Sequence, residues 1–509
     1  MKRLLCAVLC VWMLVSLCGC TEDSSAYVPT GDALEYGDAT QPTTPTEGGD
    51  GDLTLIYYPQ VTMNPYHCTD FTNRALFSLL YQGLFSTDLN YNTEPVLCKR
   101  FTRSSDMKSY TFYVENATFS DGTVLTAADV VASLLYAKES PVYKGRFLHI
   151  TEVFQDADGG VTVKLDTACE NLPLLLDIPI VKATELELEL PLGTGPYALE
   201  IATGNARLRR KSNWWCNAKL PTQAGVIRLV EAQSVTQIRD TFEFAELDLV
   251  CTDPGSDHYA DYRCDSELWD CENGIFMYLA FCADSEIFST EQIRSALTYA
   301  IDRDYLVENY YRGFAHSVTL PASPRFPYYS KALAGKYTYD AGRFAQAVDD
   351  AGLQGKTVVF LVNSDDSLRL RVARQIGKML ESCGLVVEMK ELSSSSYQYA
   401  LRSRQFDIYL GQTKLSPNMD LSSFFTTYGE LSYGGVNDKA AYALCEQALA
   451  NYGNYYNLHK TVMDRGLLCP VLVRSYAVYT TRGVFSSLQP ARDNIFYYSL
   501  GKSLEDAMK

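Results

Sequence analysis

Phe119-Ser-Asp-Gly-Thr-Val-Leu-Thr-Ala-Ala-Asp-Val-Val-Ala-Ser-Leu-Leu-Tyr-Ala137 is the stretch that decides how this chain of 509 residues is read. Just before it, Tyr110 to Val114 alternates as a half-buried strand does, and Asp121-Gly122 supplies a turn. Thr126 with Asp129 three residues on forms a capping box that opens a helix. Val130, Val131, Leu134, Leu135 and Tyr136 recur at helical spacing and predict a buried face. Asp129 and Lys138 lie near the two ends, where the helix dipole favours them. Taken alone, the stretch is a strand-turn-helix unit.

Working outward, the N-terminus carries Lys2 and Arg3 before an apolar run, Leu4 to Leu17, that is short for a membrane span. This pattern predicts an export signal over residues 1–19. Leu17-Cys18-Gly19-Cys20 fits a bacterial lipobox, with a small residue just before the cysteine that receives the lipid, so Cys20 is the expected lipidation site. A thioether diacylglycerol plus an N-acyl chain gives the two or more anchors that stable membrane attachment needs. Residues 20–51 are rich in Thr, Pro, Gly, Ser and acids and lack apolar periodicity, as expected of a disordered tether.

The remaining body of about 450 residues exceeds what one core supports and predicts two or three lobes. A net charge of −17 argues against nucleic acid and against adhesion to anionic lipid. It slightly favours neutral or cationic solutes. Eleven cysteines follow Cys20, an odd number, widely spaced and without Cys-x-x-Cys. Most read as small buried hydrophobes, Cys264 and Cys271 being the tempting local pair.

Val226 to Val230, Val235 to Phe244 and Leu247 to Cys251 read as β-α-β. Thr357 to Val362, Ser367 to Leu380 and Leu385 to Met389 repeat that pattern, and Ser395 to Arg402 with Phe406 to Leu410 extend it. In Gly193-Thr-Gly-Pro-Tyr197 the two glycines and the proline predict a tight turn that brings backbone N–H groups close to a neighbour.

The order of these words resembles the family 5 extracellular solute-binding proteins, which serve ABC importers of peptides, nickel complexes and related solutes. Phe119 to Val131 is similar to that family's "FSDGTPLTAEDVV", and Gly193 to Tyr197 to its "GTGPY". Met63-Asn-Pro65, Leu80-Tyr-Gln-Gly-Leu-Phe85, Tyr278 to Cys282, Arg294 to Arg303, Tyr339-Asp340 and Phe406-Asp407 with Gly411 also follow in family order. The resemblance spans about residues 53–437.

It implies an α/β, two-lobed periplasmic-binding-protein-like fold of the cluster C type, with an inserted subdomain and a solute cleft between lobes that close by a hinge motion. The main lobe is expected to be discontinuous, over 52–85, 190–270 and 478–509. The inserted subdomain is expected over 86–189 and the second lobe over 271–477, with crossings near Asp270 to Tyr278 and Val473 to Thr481. The implied partners are a small solute or peptide, ABC permease subunits and, through the lipid anchor, the outer face of the cytoplasmic membrane. The resemblance implies a monomer, with no cofactor, no metal and no catalytic residues.

Peptide-binding members place an acid shortly after a Gly-Trp to capture the ligand's amine. Here Gly411-Gln-Thr-Lys-Leu-Ser-Pro-Asn-Met-Asp420 puts Gln412 in place of the tryptophan and Leu415 near the expected acid. The expected contacts are therefore Phe71, Thr72, Tyr197, Trp215, Gln412, Thr413 and Lys414. Asp420 is either a contact or the cap of a helix at Leu421 to Phe425. Arg294 and Asp302 read as structural ion pairs or caps. Two other functions remain open: a sensor using the same cleft, and a secreted hydrolase. Against the latter, the five histidines show no zinc spacing and no Gly-x-Ser-x-Gly elbow occurs.

Overall fold

A computed structural model describes residues 53–496 apart from 203–204, 219–223, 233, 257–258, 260–261, 427–428, 486–487, 489 and 493. The expected signal, Cys20 and the tether lie outside the described residues, as do His258 and everything from 497 onward.

The opening stretch folds as its residues dictate. Ser109–Val114 is an inner strand of a four-stranded antiparallel sheet, between Cys98–Arg103 and Val161–Leu165, with Ile150–Gln155 beyond. Gly122, at φ +83°, turns the chain with its N–H donated to the Phe119 carbonyl at 3.0 Å. The helix runs Ala127–Glu139. The Asp129 N–H donates to the Thr126 hydroxyl at 3.3 Å, and the Thr126 N–H donates to the Asp129 carboxylate at 2.9 Å. The second oxygen of Asp129 accepts the Ala183 N–H at 2.9 Å, so the cap also ties down a distant loop. Val130, Leu134 and Ala137 are buried, but Leu135 is 46% exposed. Adjacent helical residues diverge by about 100°, so only one of the two leucines can face the core.

The Gly193-Thr-Gly-Pro-Tyr197 loop presses on the end of the helix Phe77–Leu80, with the Gly195 N–H donated to the Leu80 carbonyl at 2.9 Å. A Cβ at Gly195 would lie 2.5 Å from the Leu80 carbonyl carbon, and one at Gly193 would lie 2.2 Å from the Leu80 oxygen. Both obstacles are backbone and cannot swing aside. Gly195→Ala is therefore expected to cost about 1–3 kcal/mol, the usual range for overpacking, seen as a lower urea midpoint. An unchanged midpoint would show that the loop moves freely. The Ser120 hydroxyl donates to the Gly193 carbonyl at 3.1 Å, so the two most family-like words of the sequence meet in space.

Two larger sheets organise the rest. In the first, Leu53–Tyr57 runs parallel to Val226–Glu231, followed by Asn205–Arg210 and Tyr197–Ala202 in antiparallel order. The seven-stranded second sheet runs Leu249–Thr252, Cys469–Thr481, Ser266–Phe281, Ile408–Lys414, Thr357–Asn363 and Val386–Leu392, with Ala315–Ser317 paired to Cys469–Thr481. Thr357–Asn363, the helix Ser367–Ser382 and the parallel strand Val386–Leu392 form the expected β-α-β unit.

The expected unit at 226–251 does not form within one sheet. Its helix, Val235–Glu243, is present, but Leu249–Thr252 pairs with Cys469–Thr481 instead of lying beside Val226–Glu231. Asp248 fixes this switch. Its carboxylate accepts the Thr54 N–H at 2.7 Å and its own N–H donates to the Thr54 carbonyl at 2.9 Å, which holds the chain at the edge of the first sheet as it enters the second.

The expected crossings fall on two long neighbouring strands, Ser266–Phe281 and Cys469–Thr481. Trp269, Cys271 and Val478 belong to one hydrophobic core with Leu53, Leu79, Tyr110 and Val130, so residues from 86–189 share that core continuously with the first sheet. Met277, Leu279, Val471 and Leu472 belong to another core with Phe344, Val372 and Leu410. Between the two cores the ladder skips: Glu272 faces Ser475 and Phe276 faces Val473, leaving Asn273-Gly274-Ile275 opposite Arg474 alone. Gly274 lies at φ +71° in this gap.

All eleven cysteines after Cys20 are free thiols, so the Cys264–Cys271 pair is not formed. Cys271 is buried among Trp269 and Val478, whereas Cys264 packs with Tyr262 and Phe242 in another cluster. Among the described residues no helix is long and apolar enough to cross a membrane.

Candidate functional site

A cavity of about 230 Å³ opens where the strand ladder skips. Its wall comes from the short helix Phe71–Ala75, from Pro141 and Val142, from Asn273 and Ile275 in the gap, from Lys414, from Tyr476 and from the C-terminal Arg492 and Ile495. The helix is fixed at both its cap and its buried face. Asp70 caps it by accepting the Asn73 N–H at 3.0 Å. The fully buried Asn73 side chain accepts the Tyr58 N–H at 2.9 Å and donates to the Tyr58 carbonyl at 2.9 Å and the Val61 carbonyl at 3.1 Å. One face of the helix is thereby tied to the first sheet, and Phe71 and Arg74, three residues apart, share the face that lines the cavity.

Phe71 stacks on Tyr476 with ring centroids 3.7 Å apart. The Tyr476 phenol is pushed up to about 12, chiefly by burial and then by Asp253, against the opposing pull of Arg474 and Arg74, so it is neutral at ordinary pH. Arg74 donates to the Cys68 carbonyl at 3.2 Å and lies 5.7 Å over the Phe77 ring and 5.8 Å over that of Tyr143. Lys414 ends its strand exposed, opposite Ile275. Arg492 lies against Gly274, where a Cβ would be 2.6 Å from the guanidinium carbon, and donates to the Leu415 carbonyl. Gly274 is thus required twice, for its left-handed backbone and for the room it leaves to Arg492.

The residues expected from sequence divide between this cavity and other places. Phe71 and Lys414 line it. Thr72, one position round the helix, instead faces a small gap with Ile56, Leu249 and Cys251. Gln412 accepts from Arg474 at 3.3 Å, and Arg474 pairs with Asp253 at 2.7 Å. Thr413 is half-buried in the ladder opposite Phe276, on the other face of its strand from Lys414. Tyr197 is wholly buried and donates its hydroxyl to the Ala224 carbonyl at 2.9 Å, a core role. Trp215 donates its indole N–H to Gln82 at 2.9 Å and packs against the first core, away from the cavity lining.

Asp420 lies elsewhere, lining a nearly closed gap with His149, Leu165 and Asn418. It accepts the Ser422 N–H at 2.9 Å and the Ser422 hydroxyl at 2.6 Å, just ahead of the helix Ser422–Phe425, whose cap position is Leu421. It also pairs with the His149 Nε2 at 3.2 Å, while Asp166 holds the Nδ1 at 2.9 Å. Burial alone would lower the His149 pKa, but Asp420 and Asp166 outweigh it and raise it to about 9. Burial likewise pushes the Asp420 carboxyl up, and His149 and Ser422 overcome that to hold it below its usual range.

A second buried polar network borders the strand gap. Asp270 pairs with His316 at 3.0 Å and Arg325 at 3.1 Å. Glu272 accepts the hydroxyls of Tyr91 at 2.7 Å and Ser323 at 2.8 Å. The other two residues in question are structural: Arg294 donates to the carbonyls of Phe288, Ser289 and Gly466, and Asp302 caps Arg303–Tyr311. Among the described residues no group of three or more His, Cys, Asp or Glu side chains is arranged to hold a metal ion.

Sequence reasoning missed Arg74, Asn273, Tyr476 and Arg492. Arg74 had a signal, since it follows Phe71 by three residues on a helix. Arg492 had none, because its segment carries no periodic pattern and reaches the cavity only through the tertiary fold.

The two sheets, their separate cores and the paired strands joining them define the two-lobed fold of periplasmic binding proteins. CtaP, an ABC transporter substrate-binding protein from Listeria monocytogenes, shares it at a TM-score of 0.71 and 18% identity over 88% of this chain and 98% of that one. NikA from Brucella suis, in complex with Fe(III)-EDTA, shares it at 0.70 and 18% over 88% and 99%. The chain belongs to the bacterial extracellular solute-binding proteins, family 5, whose middle-region profile matches residues 92–434. The glutathione-binding protein GsiB of Escherichia coli (strain K12) is 26% identical over 321 residues, or 57% of this chain. That match spans 59% of the length of this curated relative.

Proposed function

We propose that this protein is the solute-capturing component of an ABC importer, exported, anchored by lipid at Cys20 and presenting one small solute, a peptide or peptide-like molecule, to a membrane permease. The observation that carries the reading is the position of the cavity: Phe71, Lys414 and Tyr476 reach it from different segments, and Asn273 and Ile275 reach it from the gap between the two cores. A binding protein of this family needs its site there, because solute bound where the lobes join favours the closed arrangement by its differential affinity. Residues 52–85, 190–270 and 478–509 then form the main lobe, 86–189 its insertion and 271–477 the second lobe, with the crossing strands as hinge. The family membership and the solutes in the relatives' names support this assignment.

The test is native mass spectrometry of the full chain in detergent, purified without denaturation. One solute per chain is expected, together with a rise in melting temperature on its readdition. Two solutes per chain, or turnover of a bound peptide to products, would overturn the reading. Cys20→Ala is expected to shift the protein from the membrane fraction to the medium or periplasm.

A further inference from the structure

We propose that one water molecule is bound in the gap beside Asp420, where it joins His149 to the loop that carries Ser416 and Asn418. These three residues line the gap, and each turns a buried polar atom without a hydrogen-bond partner among the described residues: the His149 Nε2, the Ser416 hydroxyl and the Asn418 side-chain oxygen. Asn418 is only 4% exposed. The Nε2 does lie 3.2 Å from the Asp420 carboxylate, but that charge contact is not aligned as a hydrogen bond. Both ends of the site are held by other bonds. Asp166 engages the His149 Nδ1 at 2.9 Å, and Tyr455 donates its hydroxyl to the Asn418 backbone carbonyl.

Three such atoms left bare would be costly, because each forfeits its hydration and gains no bond in return. The donors and acceptors also decide what fills the gap. Burial lowers the His149 pKa, but Asp420 and Asp166 outweigh it and raise it to about 9, so at neutral pH both ring nitrogens are donors. The Asn418 oxygen only accepts, and the Ser416 hydroxyl does either. An ammonium ion would serve the acceptors but face the imidazolium. A halide would serve the imidazolium but leave the Asn418 oxygen against a negative charge. Water accepts from His149 and donates to Asn418, and so satisfies both. The gap offers about 10 Å³, at the lower limit of what one water needs and too little for a larger solute. Most of the remaining wall is aliphatic, from Leu148, Ile150, Leu165, Leu175 and Leu449. Arg146, the other cation there, donates to the Leu175 carbonyl at 3.3 Å and pairs with Asp177.

His149 lies on the segment after Gly145, whereas Ser416 and Asn418 follow the strand Ile408–Lys414, whose last residue lines the larger cavity. The water thus fastens the far end of that loop to a segment distant in the chain, beside the bonds of Glu170 to Leu449 and Tyr452. Nothing in the site depends on what the larger cavity binds.

The test is a high-resolution crystal structure of the full chain in detergent, with a second crystal soaked in bromide. One fully occupied peak is expected within about 2.5–3.2 Å of all three atoms, with no anomalous peak there after the soak. Ser416→Ala, which removes one partner of the water, is expected to lower the melting temperature by about 1–3 °C. In a dry gap the same change would delete a bare hydroxyl, and the melting temperature would hold or rise. A gap without density, a bromide peak in it, or an unchanged or raised melting temperature for Ser416→Ala overturns the proposal. So does a melting temperature of the parent that climbs with ammonium chloride beyond its response to sodium chloride, which would name a cation as the occupant.

Discussion

His149→Ala is expected to destabilise the protein by about 3–5 kcal/mol, the cost of breaking a buried ion pair from one side. The imidazole lies between Asp166 at 2.9 Å and Asp420 at 3.2 Å, and Asp420 is buried. Removing the ring leaves the Asp420 carboxylate with only the Ser422 hydroxyl and N–H, too little to offset its desolvation. The same contact joins the segment following Gly145 to the loop ahead of Ser422. Neighbouring bonds reinforce that seam: the Glu170 carboxylate accepts the Tyr452 N–H at 2.7 Å and the Glu170 N–H donates to the Leu449 carbonyl at 2.8 Å.

The pH dependence follows from the directions of the two shifts. His149 is raised from 6.5 to about 9, so its contribution is complete below about pH 6.5 and is lost as pH climbs through 9. Asp420 is lowered from 3.8, so its contribution is present above that value and is lost as pH falls below it. The stability gap between parent and variant should be widest between about pH 4 and 6.5 and should close towards pH 9. Urea unfolding followed by tryptophan fluorescence reads it. A gap below about 1 kcal/mol at pH 6, within the range of a surface pair, or one that persists undiminished above pH 9, would sink the ion-pair account.

Arg325→Ala is the second large effect, again about 3–5 kcal/mol. Arg325 holds Asp270 at 3.1 Å and lies 3.9 Å from Glu272, and the two acids are only 3% and 5% exposed. His316 remains beside Asp270 in the variant, but two carboxylates on one strand then share a single titratable partner. Asp270 is held below its ordinary range, against the upward push of burial, by His316 and Arg325, so the loss should shrink as pH falls and Asp270 takes up a proton, and Arg325→Lys should restore only part of it, since a point charge cannot span both acids as a planar fork does. Equal stability of the alanine variant and the parent at pH 7 would exclude the network as a support of the strand gap.

What the sequence disclosed follows from how local each signal is. The capping box at Thr126 and Asp129, the tight glycines at 193 and 195 and the β-α-β unit after Thr357 are set by neighbouring residues or by one periodicity, and all three are found. Leu249–Thr252 was legible as a strand but not its sheet, because Asp248 redirects it through bonds to Thr54, 194 residues earlier in the chain. The site was legible only in part. Phe71 and Lys414 came from family position, while Arg492 arrives from a segment without pattern and depends on the missing side chain of Gly274.

The lapse in the ladder at Asn273-Gly274-Ile275 has a mechanical consequence. On the side facing Cys469–Thr481 these residues lack paired partners, so the ladder is interrupted there, and two of them, Asn273 and Ile275, line the cavity. On the proposed reading, in which the crossing strands are the hinge, pivot and contact surface share one short piece of backbone. Filling the cavity and changing the angle between the two halves of the sheet would then be a single displacement of that segment and not two events joined by a relay.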